Sequence, residues 1–260
     1  EYAEGFMKGY SETNHKDSTH DSYRSVLDNH LYPSFGTTPL DSITKKDIKT
    51  FIHKKIKEGL AGNTVRNLKG YLSSILSQAE DDEIIGINPA SKTGKRIKRK
   101  DQGEDINPFS WQEKATFENA AREHFPRYHP LFLTALRTGM RVGEILALQP
   151  GDLDFYGRFI EVRRAFAKGR LTTTKSGKIR RVDMSKGLAD VLKGYLTERK
   201  KEALRKGWGN PPECLFYNED GKVIDLDNLR KRVFYKALEK GGLRRIRIHD
   251  FRNTYATHRI

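Results

Sequence analysis

The chain has 260 residues, with 49 Lys and Arg against 34 Asp and Glu, a net charge of +15 and a pI near 9.7. That length is about two domains' worth; no apolar run of about 18 residues offers a membrane span, and the lone Cys214 excludes an internal disulfide framework and fits a reducing compartment. So much positive charge favours a polyanionic partner, most often nucleic acid. Glu1 stands where a Met would open a complete protein, so the chain reads as a piece of a longer one, with no secretory signal.

Residues 1–15 show no clean periodicity and read as a lead-in from upstream sequence. Ser18 and Thr19 are N-cap candidates for a helix carrying Tyr23, Val26, Leu27 and Leu31, with Pro33 ending it. Thr44-x-x-Asp47 resembles a capping box with Asp in place of Glu. The helix behind it sets Ile48, Phe51, Ile52 and Ile56 on one face, until Gly59 and Gly62. Asn63 reads as the cap of a third helix with Val65, Leu68, Leu72, Ile75, Leu76 and Ala79 at i, i+3, i+4 spacing. Lys and Arg, among them Arg66 and Lys69, fall on the outer faces. Residues 1–90 are therefore expected to be a small helical bundle with a basic exterior. Residues 92–101 read Lys-Thr-Gly-Lys-Arg-Ile-Lys-Arg-Lys-Asp, between Asn88-Pro89 and Asn107-Pro108, which makes 91–106 a basic linker. Either it is simply solvated, or Lys95, Arg96, Lys98 and Arg99 strap it along a phosphate backbone.

Over residues 107–260 the pattern is mixed. Ser110-x-x-Glu113 is a capping box for a helix with Trp111, Ala115 and Phe117. The organising stretch runs Thr138-Gly139-Met140-Arg141-Val142-Gly143-Glu144-Ile145-Leu146-Ala147-Leu148. Leu131, Phe132, Ala135 and Leu136 precede it at helical spacing, and Gly139 is placed to cap that helix in the left-handed conformation. Arg141 follows among apolar neighbours, which predicts a more buried arginine than most, in need of an anionic partner. Glu144 can reach it across one helical turn. The pair either staples two helices or holds a guanidinium aimed at a phosphate. Arg158 to Val162 and Ile179 to Val182 read as strands joined by a long polar connection, Ser176-Gly177 supplying turn chemistry that puts Lys175 at a β-hairpin tip. Ser185 opens a long helix through Leu196, Asp227 caps another that Gly241-Gly242 ends, and Leu215-Phe216 is a short apolar piece between them. In Ile248-His249-Asp250-Phe251-Arg252-Asn253-Thr254-Tyr255-Ala256-Thr257-His258, His249 and Arg252 share a helical face and can serve one phosphate as proton donor and charge clamp.

Taken in order, Thr-Gly-Met-Arg-Val-Gly-Glu around Arg141, Thr-Lys-Ser-Gly-Lys around Lys175 and His-Asp-Phe-Arg around His249 and Arg252 resemble the tyrosine recombinases, the integrases of phages and mobile elements. The resemblance spans nearly the whole chain and implies a mainly α fold with a small antiparallel sheet. It divides the chain into a helical, SAM-like core-binding domain over 1–90, the basic linker, and a catalytic domain over 107–260 that is incomplete at its end. It implies that Arg141 and Arg252 bind the non-bridging oxygens of a scissile DNA phosphate, that Lys175 protonates the leaving 5′ oxygen and that His249 assists proton transfer. Glu144 would orient Arg141 or support the site. The implied reaction runs through a 3′-phosphotyrosine with neither metal nor cofactor. The implied partners are double-stranded DNA, a homotetramer on paired sites and accessory DNA-bending proteins, in a bacterial cytoplasm at the nucleoid and away from any membrane. The sequence departs from the family in stopping at Ile260, before the second His or Trp and the nucleophilic tyrosine; Tyr255 and His258 fall too early, and Asn253 stands where the family often has His. Lys168 and Lys178 lie near the same hairpin as Lys175. Two other readings remain: a DNA-binding protein without catalysis, for which four converging residues have no evident use, and a type IB topoisomerase, which the helical N-terminal part and short hairpin fit less well.

Overall fold

The computed structural model describes residues 1–93, 108–167, 169–174 and 177–259. Lys95, Arg96, Lys98, Arg99, Lys168 and Lys175 lie outside them. The chain forms two compact units, Glu1–Gly103 and Glu104–Ile260, each with its own apolar core. No helix among the described residues is long and apolar enough to cross a membrane.

The first unit is built of helices. Its opening residues, expected as a lead-in, are helical: α1 (Tyr2–Phe6) continues through a π-turn at Met7–Ser11 into α2 (Glu12–Asn14). Gly5 and Gly9 are poor helix formers and mask the pattern, but burial of Phe6, Met7 and Ser11 overrides them. In α3 (Asp17–Val26) the N-cap is Lys16, so Ser18 and Thr19 sit inside the first turn. A π-turn at Leu27–Leu31 leads into α4 (Tyr32–Phe35), and Pro33 lies within the helical path rather than ending it. It sits in the first turn of α4, directly after the π-turn. α5 (Lys45–Lys57) begins at the predicted capping box, in which the Thr44 backbone N–H donates to Asp47 Oδ2 (2.9 Å) and the Asp47 N–H donates to Thr44 Oγ1 (3.3 Å). Its buried face holds Ile48, Phe51 and Ile52, whereas Ile56 is exposed and Lys55 is buried instead, over the Phe51 ring and paired with Glu58 at 2.9 Å. α6 (Gly62–Asp81) starts from Ala61 without a side-chain cap, with Asn63 inside its first turn.

The second unit opens on α7 (Trp111–His124), where Ser110 and Glu113 close their box as predicted. Trp111 at the helix start is exposed, stacked on His258 at 3.9 Å, while Phe117 is buried. α8 (His129–Thr138) is buried along most of its length and hands over to α9 (Val142–Leu146). Strands β1 (Leu153–Asp154), β2 (Phe159–Val162) and β5 (Arg180–Asp183) form an antiparallel sheet in the order β1-β2-β5. Between β2 and β5 the predicted polar connection contains its own hairpin, β3 (Arg164–Ala167) with β4 (Arg170–Thr173). That hairpin turns between Ala167 and Arg170, upstream of the place predicted for a hairpin tip. Neither strand buries a face, so no apolar alternation marks them in the sequence. α10 (Lys186–Arg205) follows its Ser185 cap. α11 (Leu226–Asn228) is capped by Asp225, whose Oδ1 accepts from the Asn228 N–H at 2.7 Å, rather than by Asp227. A π-turn at Leu229–Phe234 then leads to α12 (Tyr235–Lys240), and α13 (Asp250–His258) comes last. Phe117, Phe132, Phe234 and Phe251 bring α7, α8, the π-turn and α13 together in one ring cluster. The fold is thus mainly α with small antiparallel sheets, as the family resemblance implies.

Candidate active site

The turn between α8 and α9 fixes the first arginine. Gly139 takes φ +60°, and a Cβ there would run into the Tyr255 ring from α13. At Gly143 a Cβ would run into the backbone carbonyl of Phe166 on β3, which packs against α9. Both glycines of the Thr-Gly-Met-Arg-Val-Gly-Glu motif are therefore demanded by close backbone approach. Arg141 is the N-cap of α9; its N–H donates to Glu144 Oε2 (2.9 Å) and its Nη1 to Glu144 Oε1 (3.2 Å). Contrary to the expectation of burial, the Arg141 side chain is 42% exposed and it is the Glu144 side chain that is buried, at 2%. The guanidinium thus stays open to a ligand while its partner is shielded from water.

Sequence reading missed the residue that holds Glu144 most firmly. Arg180 Nη1 donates to Oε1 at 3.0 Å and Nη2 to Oε2 at 2.6 Å, a two-point clamp. Arg180 stands opposite Val162 in the β2–β5 ladder, on the face that buries Ile160 and Val162. A signal was present: an arginine on a strand's buried face requires an acidic partner. It was obscured because the expected strand began at Ile179, which is exposed and outside β5. Burial pushes the Glu144 carboxyl up, but hydrogen bonds from Arg180 and from the Arg141 backbone, with Arg180's charge, outweigh it and hold the group below the usual carboxylate range.

Arg252 arrives from α13, its Nη1 donating to the Gly139 carbonyl at 2.6 Å. A cavity of about 740 Å³ is lined by Thr138, Gly139, Arg180, Arg252, Tyr255 and Arg259, among others. His249 is the N-cap of α13 and exposed, and its carbonyl accepts from the Arg252 N–H at 3.0 Å. Asp250 fixes this helix start: burial raises its carboxyl, but hydrogen bonds from the Arg247 side chain and backbone hold it below its ordinary value. Tyr255 is spent on packing, with its ring against Gly139 and its hydroxyl accepting from Arg259 Nη1 at 2.6 Å. Lys175 lies outside the described residues; beside it the Gly177 N–H donates to the Thr174 carbonyl at 2.9 Å. In the other unit, Arg66 and Lys69 are half-buried on α6, Arg66 Nη1 donating to Asn63 Oδ1 at 3.2 Å.

Arg141 and Arg180 meet the Glu144 carboxylate while Arg252 takes the Gly139 carbonyl, so three guanidinium groups and one carboxylate gather around the Gly139 turn. Such an excess of rigid donors suits a phosphate. The sequence matches the phage integrase family model over residues 112–260 and the phage integrase N-terminal SAM-like domain model over 1–56. Among curated proteins it is 28% identical to a "tyrosine recombinase XerC-like" protein of Caldanaerobacter subterraneus subsp. tengcongensis, over 90% of this chain and 64% of that protein. The chain therefore spans less than two-thirds of that relative's length. Among solved structures, a Tn1549 transposon integrase in complex with transposon right end DNA shares the fold, with TM-score 0.82, 20% identity, and coverage of 99% of this chain and 84% of that one. A lambda integrase tetramer bound to a Holliday junction also does, with TM-score 0.71, 18% identity, and coverage of 98% and 71%.

Proposed function

The chain belongs to the phage integrase family, and on that premise we propose that it is the DNA-cutting part of a site-specific tyrosine recombinase. What carries the proposal is the convergence of Arg141 and Arg252 on the Gly139 turn, from segments more than a hundred positions apart, 113 for the Arg252–Gly139 bond. Each guanidinium would take non-bridging oxygens of the scissile phosphate and stabilise the charge of the pentavalent transition state. The nucleophile is a tyrosine, whose oxygen attacks the phosphorus as its hydroxyl proton is released to solvent; the P–O bond to the 5′ oxygen breaks, and a 3′-phosphotyrosine forms. Lys175 gives the leaving 5′ oxygen its proton, and His249 assists the transfer. Attack by a 5′ hydroxyl reverses the sequence and rejoins strands. Strand exchange would take place in a homotetramer on paired DNA sites, aided by accessory DNA-bending proteins, at the nucleoid in a bacterial cytoplasm. Lys95, Arg96, Lys98 and Arg99 would follow the phosphate backbone, with Arg66 and Lys69 adding contacts from the helical unit.

The test uses the full-length protein carrying this chain and a nicked duplex that traps the covalent adduct. Arg141→Lys and Arg252→Lys keep the charge but lose the fork that holds two oxygens together, so each should lower cleavage by about 10²–10³ with DNA affinity and unfolding temperature nearly unchanged. Near-normal cleavage with a large loss of stability would make Arg141 a structural staple and remove the anchor of the proposal. Residues 1–260 alone should form no adduct; an adduct abolished by Tyr255→Phe would reassign the nucleophile.

A further inference from the structure

Arg180 belongs to none of the three motifs, yet both its Nη atoms bond the Glu144 carboxylate. We propose that Arg180 is a positioning residue, clamping the buried Glu144 carboxylate so that Glu144 in turn fixes the Arg141 guanidinium; this rests on the recombinase reading above. Arg141 alone supplies Glu144 with its backbone N–H and one guanidinium contact at 3.2 Å. A carboxylate buried to that extent needs fuller compensation than one backbone N–H and one guanidinium contact supply. The Arg180 clamp, at 3.0 and 2.6 Å from a strand in the sheet, supplies the rigid side of the arrangement.

The other charges nearby are committed elsewhere. β3, packed on α9, turns Arg164 to Asp152 at 2.7 Å, and α8 turns Arg137 to Glu118 at 3.0 Å. Among the described residues the charged groups on Glu144 are thus Arg141 from its own helix cap and Arg180 from β5. Without Arg180 the largest of the contributions that oppose burial is lost, so the Glu144 carboxyl would take up a proton at higher pH than in the wild type. Neutral Glu144 would release Arg141 from its aim.

The experiment follows single-turnover cleavage of nicked duplex by the full-length protein from about pH 5 to pH 8, the range in which a raised carboxyl pKa is visible. Arg180→Gln should cleave about 10- to 100-fold more slowly, the cost of a small misplacement of a reacting group, with a new loss of rate toward acid as Glu144 protonates. Arg180→Lys, which keeps the charge without the fork, should lie between Arg180→Gln and wild type, and it carries the test should Arg180→Gln unfold. In a Glu144→Gln background, Arg180→Gln should add little further slowing, because the two act through one contact. A cleaving wild type with Arg180→Gln or Arg180→Lys equal to it in rate and pH profile would overturn the role of Arg180 alone. So would independent, multiplying losses from Arg180→Gln and Glu144→Gln. An inert wild type would remove the recombinase reading and this role with it.

Discussion

Gly139 stands at φ +60° with the Tyr255 ring filling the space beside it, and its carbonyl takes Arg252 Nη1. Gly139→Ala combines an unfavourable backbone with a collision, so it should cost about 1–3 kcal/mol in denaturant unfolding; a midpoint equal to wild type would show that the turn relaxes freely. Thr254 is another small residue with a large task. Its Oγ1 accepts from the Phe109 N–H at 3.0 Å and donates to the Asp250 carbonyl at 3.0 Å, in full burial. Thr254→Val keeps the shape and strands the Phe109 N–H, which should lower stability by about 1–3 kcal/mol. Thr254→Ser should recover most of it, and equal losses in both variants would point to packing instead.

At the scale of an element, α7 shows how a local signal is reused. Glu113 closes the Ser110 cap and also receives Arg244 Nε at 2.8 Å, while Arg244 Nη2 donates to the Pro108 carbonyl at 2.8 Å. One carboxylate thus ties a helix start to the segment before α13. Arg244 beside it, against the opposing effect of burial, holds Glu113 below the usual carboxylate range. A carboxylate with a lowered folded pKa stabilises the fold above its unfolded pKa, and that contribution disappears as pH falls through the folded value. Glu113→Gln should therefore lower the unfolding midpoint near neutrality, with the gap to wild type closing in acid. A gap independent of pH would mean that shape, not charge, is what Glu113 provides. Ser110→Ala removes only the cap and should cost about 0.5–2 kcal/mol.

For the whole molecule the relevant quantity is the net charge of +15. Binding to duplex DNA should weaken steeply with salt, with a log–log slope of roughly −0.9 for each neutralised phosphate. Replacing Lys95, Arg96, Lys98 and Arg99 with Ala should flatten that slope by up to about four such contributions. An unchanged slope would mean that the linker stays in solvent. Each compact unit has its own core, so this substitution should leave unfolding nearly untouched.

Features that depend on a few neighbouring residues are legible in the chain itself. The caps at Thr44, Ser110 and Ser185, the left-handed Gly139 and the apolar faces of α6 and α8 all follow from local propensity and periodicity, because a helix satisfies its backbone within its own length. The family motifs around Arg141 and Arg252 were legible for the same reason, each being a short run with its own geometry. The lead-in that became α1 and α2, and the hairpin β3–β4, were not legible: glycines broke the pattern of the first, and the second buries no face. The juxtapositions that make the site were decided only by packing. Arg180 meets Glu144 across 36 positions and Arg252 meets Gly139 across 113. Nothing near Arg180 in the chain names its partner. The partner follows once the sheet brings Arg180 onto its buried face and α9 carries Glu144 to the same spot, where that carboxylate, 2% exposed, would be costly unpaired.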